Sequence, residues 1–168
     1  MMSDNSYVEL LVARKASPLM LCLKYLLIVL AAFSFLLGFL GNIIFIIIFI
    51  AFAVGVYFVS LNASIEYEYQ YCEREITVDK ILNKSRRKKV ATFEVERMEA
   101  FAPSKSYHLD EYRNKDSYRK LDFSSGIENQ PDTTYTMYYD GREKVIFEPN
   151  KEFVDAIKNV APRKVFTD

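Results

Sequence analysis

YLLIVLAAFSFLLGFLGNIIFIIIFIAFAVGVYFVSLNASI, residues 25–65, contains no Asp, Glu, Lys, Arg or His. As one straight helix it would run roughly 60 Å, about twice the thickness of a bilayer's hydrocarbon core. It must break or cross twice. Gly41-Asn42 is where it can turn, because both residue types tolerate turn backbone conformations. The apolar runs on either side, residues 19–40 and 43–61, are each close to the ~20 residues that span a membrane. Lipid offers no partner to a free peptide group, so both runs are expected to be helical. The stretch reads as a transmembrane helical hairpin.

Working outward, charge changes abruptly. All but three of the 22 basic residues and all but two of the 22 acidic ones lie from Glu66 onward. The chain is therefore an apolar segment joined to an ordinary polar domain. This excludes a fully soluble globule and collagen- or mucin-like chains. Two cysteines cannot staple a secreted disulfide module. Lys24, inside the first run, reads as a snorkelling boundary residue. Ser34 with Gly38, and Ala51 with Gly55, place small residues four apart on each helix, where they would allow close helix packing. The same residues are also simply common in membrane helices. A cleaved signal peptide fits poorly, because its apolar region would be ~7–15 residues and would end at a small-residue cleavage site.

Arg14, Lys15 and Lys24 precede the hairpin, its turn carries no charge, and Lys84-Ser85-Arg86-Arg87-Lys88-Lys89 follows it. The positive-inside rule then predicts a multi-pass protein of the cell membrane with both termini cytoplasmic. Cys22 and Cys72 would stay reduced there. Asn62-Ala63-Ser64 and Asn83-Lys84-Ser85 are treated as chance glycosylation matches. Tyr7 to Lys15 has helical spacing of apolar residues and Pro18 closes it, which suggests an interfacial helix or a frayed end. The expected domains are an N-terminal segment (1–18), the hairpin (19–61) and a β-rich cytoplasmic domain (62–168).

In that last domain the period switches to two. Ile65, Tyr67, Tyr69 and Tyr71 alternate with Glu66, Glu68 and Gln70, a strand with one apolar face. Ile76 and Val78 mark a second strand. Residues 90–102 hold two strands with a bend, 104–117 a polar loop, 118–123 another strand and 126–132 a turn. Residues 133–139 and 142–147 flank Asp140-Gly141, a strong hairpin signal. Pro149-Asn150 opens a helix with Phe153, Ile157 and Val160 on one face, and Ala161-Pro162 ends it. The fold class is α+β: a two-helix transmembrane hairpin, then an antiparallel barrel or sandwich of about seven strands covered by the C-terminal helix.

This arrangement resembles the pleckstrin-homology-like (PH-like) fold. The whole chain resembles a family of uncharacterised membrane proteins of Gram-positive anaerobes that carry a domain of unknown function. The resemblance rests on Ile65-Glu66-Tyr67-Glu68-Tyr69, Phe101-Ala102-Pro103, Phe147-Glu148-Pro149-Asn150 and Pro162-Arg163-Lys164-Val165-Phe166. It implies a PH-like domain after the membrane hairpin and no particular chemistry.

Residues for catalysis are sparse. The single histidine, His108, lies in the polar loop, where it would have to serve any Ser–His or Cys–His arrangement. No C-x-x-C pair, P-loop or dinucleotide glycine pattern occurs. Asp110, Glu111 and Asp116 read as a solvated loop face rather than a cation site. No catalytic residue, cofactor, metal site or small-molecule substrate is expected.

Lys84, Arg86, Arg87, Lys88 and Lys89 form the most informative polar feature. They either touch anionic lipid, at ~1 kcal/mol per cation, or only set topology. The expectation for lipid is geometric: the first strand leaves the membrane and the second returns, so the next turn points back. The turn Cys72-Glu73-Arg74-Glu75 is net acidic, unlike the basic first turn of many lipid-binding PH-like domains, which argues against a specific inositol-phosphate pocket. Nucleic acid is not expected, because the domain is near neutral overall. Tyr67, Tyr69, Tyr71, Tyr135, Tyr138 and Tyr139 read as core and rim, or as an interaction surface. The expected function is a non-enzymatic, membrane-anchored interaction module, with a protein partner or its own copies. The alternative is an accessory subunit of a larger membrane complex, such as a transporter.

Overall fold

The computed structural model describes residues 7–113, 118–128 and 131–167. The chain divides into two compact units. One comprises Lys15–Ile65 and Leu82–Arg86; the other holds the remaining described residues.

The first unit is the hairpin. Helix α1 spans Pro18–Phe39 and α2 spans Ile43–Ala63, within two residues of the expected ends. Pro18 starts α1, where its missing N–H costs nothing. Gly41 supplies φ +99° at the turn, a conformation that penalises other residues. The Asn42 side chain then accepts a hydrogen bond from the Ile44 N–H and caps α2. At 1.5 Å per residue each helix is about as long as a bilayer core is thick. Both are long and apolar enough to cross a membrane, and most of their surface faces outward. This suggests membrane association, because a soluble protein would bury such helices.

The helices meet through small residues. Ala31, Ser34 and Gly38 form the buried stripe of α1. A Cβ at Gly38 would lie 2.8 Å from Ile46 Cγ1, so only glycine permits this approach. Gly55 lies opposite Leu27, and the Phe35 and Phe49 rings sit 5.3 Å apart. Ala51 faces outward, away from this seam.

The second unit is sandwich-like, with two four-stranded sheets. The first has the order β1-β2-β3-β4: β1 (Val8–Arg14), β2 (Ile65–Cys72), β3 (Glu75–Leu82) and β4 (Arg86–Glu94). The second has the order β5-β7-β8-β6: β5 (Met98–Pro103), β6 (Arg119–Asp122), β7 (Tyr135–Tyr139) and β8 (Glu143–Phe147). Single helical turns at Val95–Arg97 and Tyr107–Leu109, and the short α3 (Asp110–Arg113), join these strands.

Three expectations are corrected here. The N-terminal segment is a strand: Val8 and Val12 are buried at alternate pleat positions, and β1 borders β2. The described residues hold eight strands rather than about seven, and no closed barrel. The sheets are not purely antiparallel, since β6 pairs with β8 in parallel while β8 pairs antiparallel with β7.

Aromatic rings fill the space between the sheets. Phe147 is fully buried at the centre, 5.2 Å from the Tyr69 ring and about 6 Å from Phe93, Phe101 and Phe123. Helix α4 (Lys151–Val160) closes the core with Phe153, Val154, Ala156 and Ile157. Its first turn is capped by the Asn150 side chain, which accepts from the Phe153 N–H. The chain then returns along β5, where Phe101 and Val165 form a parallel bridge.

Candidate functional site

The basic segment straddles a turn and a strand. Asn83 and Lys84 both adopt positive φ, the pattern of a tight hairpin turn. The Asn83 N–H donates to the Ser64 carbonyl at 2.8 Å, so the turn Leu82–Arg86 is held against the end of α2. From Arg86 the chain is β4, an edge strand whose first five residues are exposed.

The five cations do different things. The Arg87 guanidinium donates to Glu68 Oε1 at 2.7 Å and lies 4.0 Å from Asp79. Glu68 is only 2% exposed. Burial, and next the hydrogen bond it shares with Glu9, push its carboxyl above the ordinary range, while Arg87 pulls it back. Glu9 moves the other way, because the Tyr7 hydroxyl donates to it. Lys89 lies 3.9 Å from Glu75. Lys84, Arg86 and Lys88 project from the chain and enter none of the ion pairs formed among the described residues.

The outer face of the second sheet carries a feature that the sequence reading missed. Register places Ala100, Tyr138, Lys144 and Lys120 in one row across β5, β7, β8 and β6. Ala102, Thr136, Ile146 and Asp122 form the next row. The segment 107–113 covers one side of this face, with Leu109 against Ala100, Ala102 and Tyr138, and Tyr112 stacked on Tyr138. Beside that cover runs a groove of about 560 Å³, over Thr136, Lys144 and Ile146 and between Ser104 and Ser124.

Three carboxylates line the groove, Asp122, Glu128 and Asp132, and two of them have partners in the fold. Asp122 accepts from the Ser124 N–H and hydroxyl and faces Arg14 of β1 at 3.9 Å. Asp132 accepts from Thr134 and faces Lys105 at 3.4 Å, which holds its pKa low, the Thr134 hydroxyl first among causes. Lys144 differs. It is half-buried, its ammonium lies 5.8 Å from the Tyr138 ring centre, and burial lowers its pKa. Lys120, its partner in the parallel register, and Arg113 push the pKa the same way. A period-two reading of β8 would have put Lys144 on the face opposite Val145 and Phe147; nothing in the sequence said that Lys120 would lie beside it.

The other candidates have structural settings. His108 stacks on Phe166 with ring centres 3.9 Å apart and lies against Tyr107. Asp110 pairs with Arg113, Glu111 is exposed, and Asp116 lies outside the described residues. Among the described residues no group of three His, Cys, Asp or Glu is placed to hold a metal. Tyr67, Tyr69, Tyr71, Tyr138 and Tyr139 are buried and Tyr135 is half-buried, which makes them packing residues. Cys22 and Cys72 are exposed free thiols. Glu73 and Arg74 occupy the tight β2–β3 turn with positive φ, and Arg74 pairs with Glu96 rather than opening a basic pocket.

Residues 4–167, which hold both sheets, the two apolar helices and the C-terminal helix, match the family model described as a bacterial PH-like domain (DUF6106). The chain belongs to this family. The match includes β1 and the hairpin, so the PH-like family is defined over the apolar helices as well as the sandwich. No curated protein and no solved structure matches the chain.

Proposed function

We propose that the chain is a non-enzymatic interaction module, a PH-like domain anchored in the cell membrane by its hairpin, with both termini in the cytoplasm. One observation carries this reading: β1 and β2 are neighbours in one sheet although α1 and α2 lie between them in sequence. Two strands bonded edge to edge cannot sit on opposite sides of a bilayer, so the hairpin must enter and leave by the same face. The basic residues next to the hairpin favour the cytoplasmic face. The role is recognition, by way of a sandwich tethered to the membrane through its hairpin.

Topology tests this directly. In a chain with Cys22 and Cys72 replaced, single cysteines at Leu40, Lys15 and Lys158 are treated with an impermeant thiol reagent on intact cells. Labelling is expected at position 40 alone. Labelling at position 158 from outside would overturn the reading.

Anionic lipid is the surface this module would touch, through Lys84, Arg86 and Lys88. Arg87 and Lys89 contribute less, because carboxylates already face them. Replacing the first three by Gln should weaken salt-sensitive association of the full chain's polar domain with anionic bilayers by ~1 kcal/mol per cation. Protection of the β3–β4 turn from protease, compared between anionic and neutral nanodiscs, measures it. Equal protection in both would remove lipid from the proposal. The accessory-subunit reading is favoured by Ala51, which faces away from α1 and leaves room for a further helix. A stoichiometric partner co-purifying in mild detergent would select it.

A further inference from the structure

The edge of a sheet is a row of unpaired backbone groups, and proteins guard it by cover, brevity or charge. Three of the four edges in the sandwich are guarded. β5 is covered by the returning chain, where the Phe101 N–H donates to the Lys164 carbonyl and the Phe166 N–H donates to that of Phe101. β6 has only four residues, and Arg119 and Lys120 on it are exposed. β4 opens with Arg86, Arg87, Lys88 and Lys89. The edge of β1 differs. It runs for seven residues, and Glu9 is its one charge before Arg14. On either side of Glu9, Tyr7 and Leu11 are 56% and 50% exposed. Val8 and Val12, on the opposite face, hold the strand in the core. Among the described residues, Val8–Arg14 makes no backbone hydrogen bond beyond its own sheet.

At residues 7 and 8, β1 forms one wall of a groove of about 680 Å³. The other wall is α4, which presents Glu152, Asp155 and Asn159 with a single base, Lys151. Glu152 and Asp155 are exposed and enter none of the ion pairs formed among the described residues.

We propose that the free edge of β1 takes an extended segment of a partner protein as a fifth strand of the first sheet. That segment has apolar side chains opposite Tyr7 and Leu11, and basic ones opposite Glu9 and the α4 wall. The proposal rests on the reading of this chain as an interaction module and names the form its recognition takes. Backbone hydrogen bonds along the edge supply affinity, and alternate side chains supply selection. Residues 8–12 offer roughly 17 Å of edge. Glu9 stays a carboxylate, because the Tyr7 hydroxyl donates to it and holds its pKa low. A second copy of β1 suits this edge less well, since no basic residue lies between Tyr7 and Ala13 to meet the acids.

The experiment uses the full chain in nanodiscs of neutral lipid, with the heptapeptide Thr-Val-Lys-Lys-Lys-Val-Thr as probe. Calorimetry and backbone amide exchange are the readouts. Saturable binding is expected, with exchange slowed along β1. Glu152→Gln combined with Asp155→Asn should weaken it about tenfold at low salt, and Leu11→Lys should also weaken it. Both variants alter exposed side chains, so their unliganded melting temperatures should match the wild type's. The triple change of Lys84, Arg86 and Lys88 to Gln should leave binding unaltered. The same peptide N-methylated along its backbone keeps its charges but cannot donate to the edge, and it should not bind. Equal binding of the methylated peptide would reduce the effect to loose charge attraction and overturn the proposal, as would no binding of the parent peptide. A dimer of the full chain that Leu11→Lys dissolves would overturn it too, because the edge would then belong to a second copy. None of these outcomes alters the thiol labelling at positions 15, 40 and 158, so failure here is distinct from failure of the topology reading.

Discussion

The outer faces of the two sheets handle the same problem, a cation on a pleated surface, in opposite ways. On the first sheet Arg87 of β4 reaches across β3 to Glu68 of β2, and Asp79 lies in between. The charge is neutralised within the fold. On the second sheet Lys144 has Lys120 for its cross-strand neighbour and lies over the Tyr138 ring. One face answers its cation with carboxylates, the other with an aromatic ring. The difference comes from topology. Consecutive hairpins set β2, β3 and β4 side by side, so local sequence can match acid to base. The parallel β6–β8 pair joins segments more than twenty residues apart.

The comparison can be tested by its consequences, the largest first. Both faces are backed by the same aromatic core, so Phe147→Ala should destabilise both together, by about 3–5 kcal/mol. Denaturant unfolding of the full chain in mild detergent would measure this, and a smaller loss would mean that the two sheets do not share one core. Arg87→Ala should cost about 2 kcal/mol, because it removes the cation that faces the buried Glu68 carboxylate. If Arg87→Ala were as mild as a change at an exposed lysine, the contrast between the faces would collapse.

Glu68 gives the comparison a pH dependence. Its folded pKa is raised, so between the ordinary carboxylate range and that higher value the native state keeps a proton that the unfolded chain has lost. That stability is complete on the acid side and is lost as pH rises through the folded value. Glu9 is lowered, so its contribution is lost as pH falls. Glu68→Gln should flatten the decline on the alkaline side of about pH 4.5, as seen in unfolding midpoints across a pH series. The smallest effect belongs to Lys84, Arg86 and Lys88. Their joint replacement by Gln should change folding stability by no more than about 0.5 kcal/mol, which would separate any loss of lipid contact from loss of fold.

Much of the fold was legible where the signal is local. The hairpin follows from an ionisable-free stretch with one turn, and Asp140-Gly141 sits between β7 and β8 with both residues at positive φ. Asn150 and the apolar spacing of Phe153 and Ile157 marked α4. Residues 8–14 were read differently. Val8, Leu10 and Val12 alternate with Glu9, Leu11 and Ala13, yet Leu10, Leu11 and Ala13 also satisfy a helical spacing. The edge of β2 decides between the two. Among the basic residues, five adjacent cations looked equivalent; the pleat sends Arg87 toward Glu68, and Lys84, Arg86 and Lys88 elsewhere.

The amino-acid order alone determined that this protein has an apolar hairpin, a β-rich polar domain and a closing helix, because each depends on residues within a turn or two of one another. The tertiary structure decided that strand β1 joins a sheet whose other strands follow the hairpin. It also decided that β6 lies parallel to β8, and that Lys144 faces Lys120. These are pairings between distant segments, and they are set by which backbone edges and apolar faces remain to be covered once the local elements have formed.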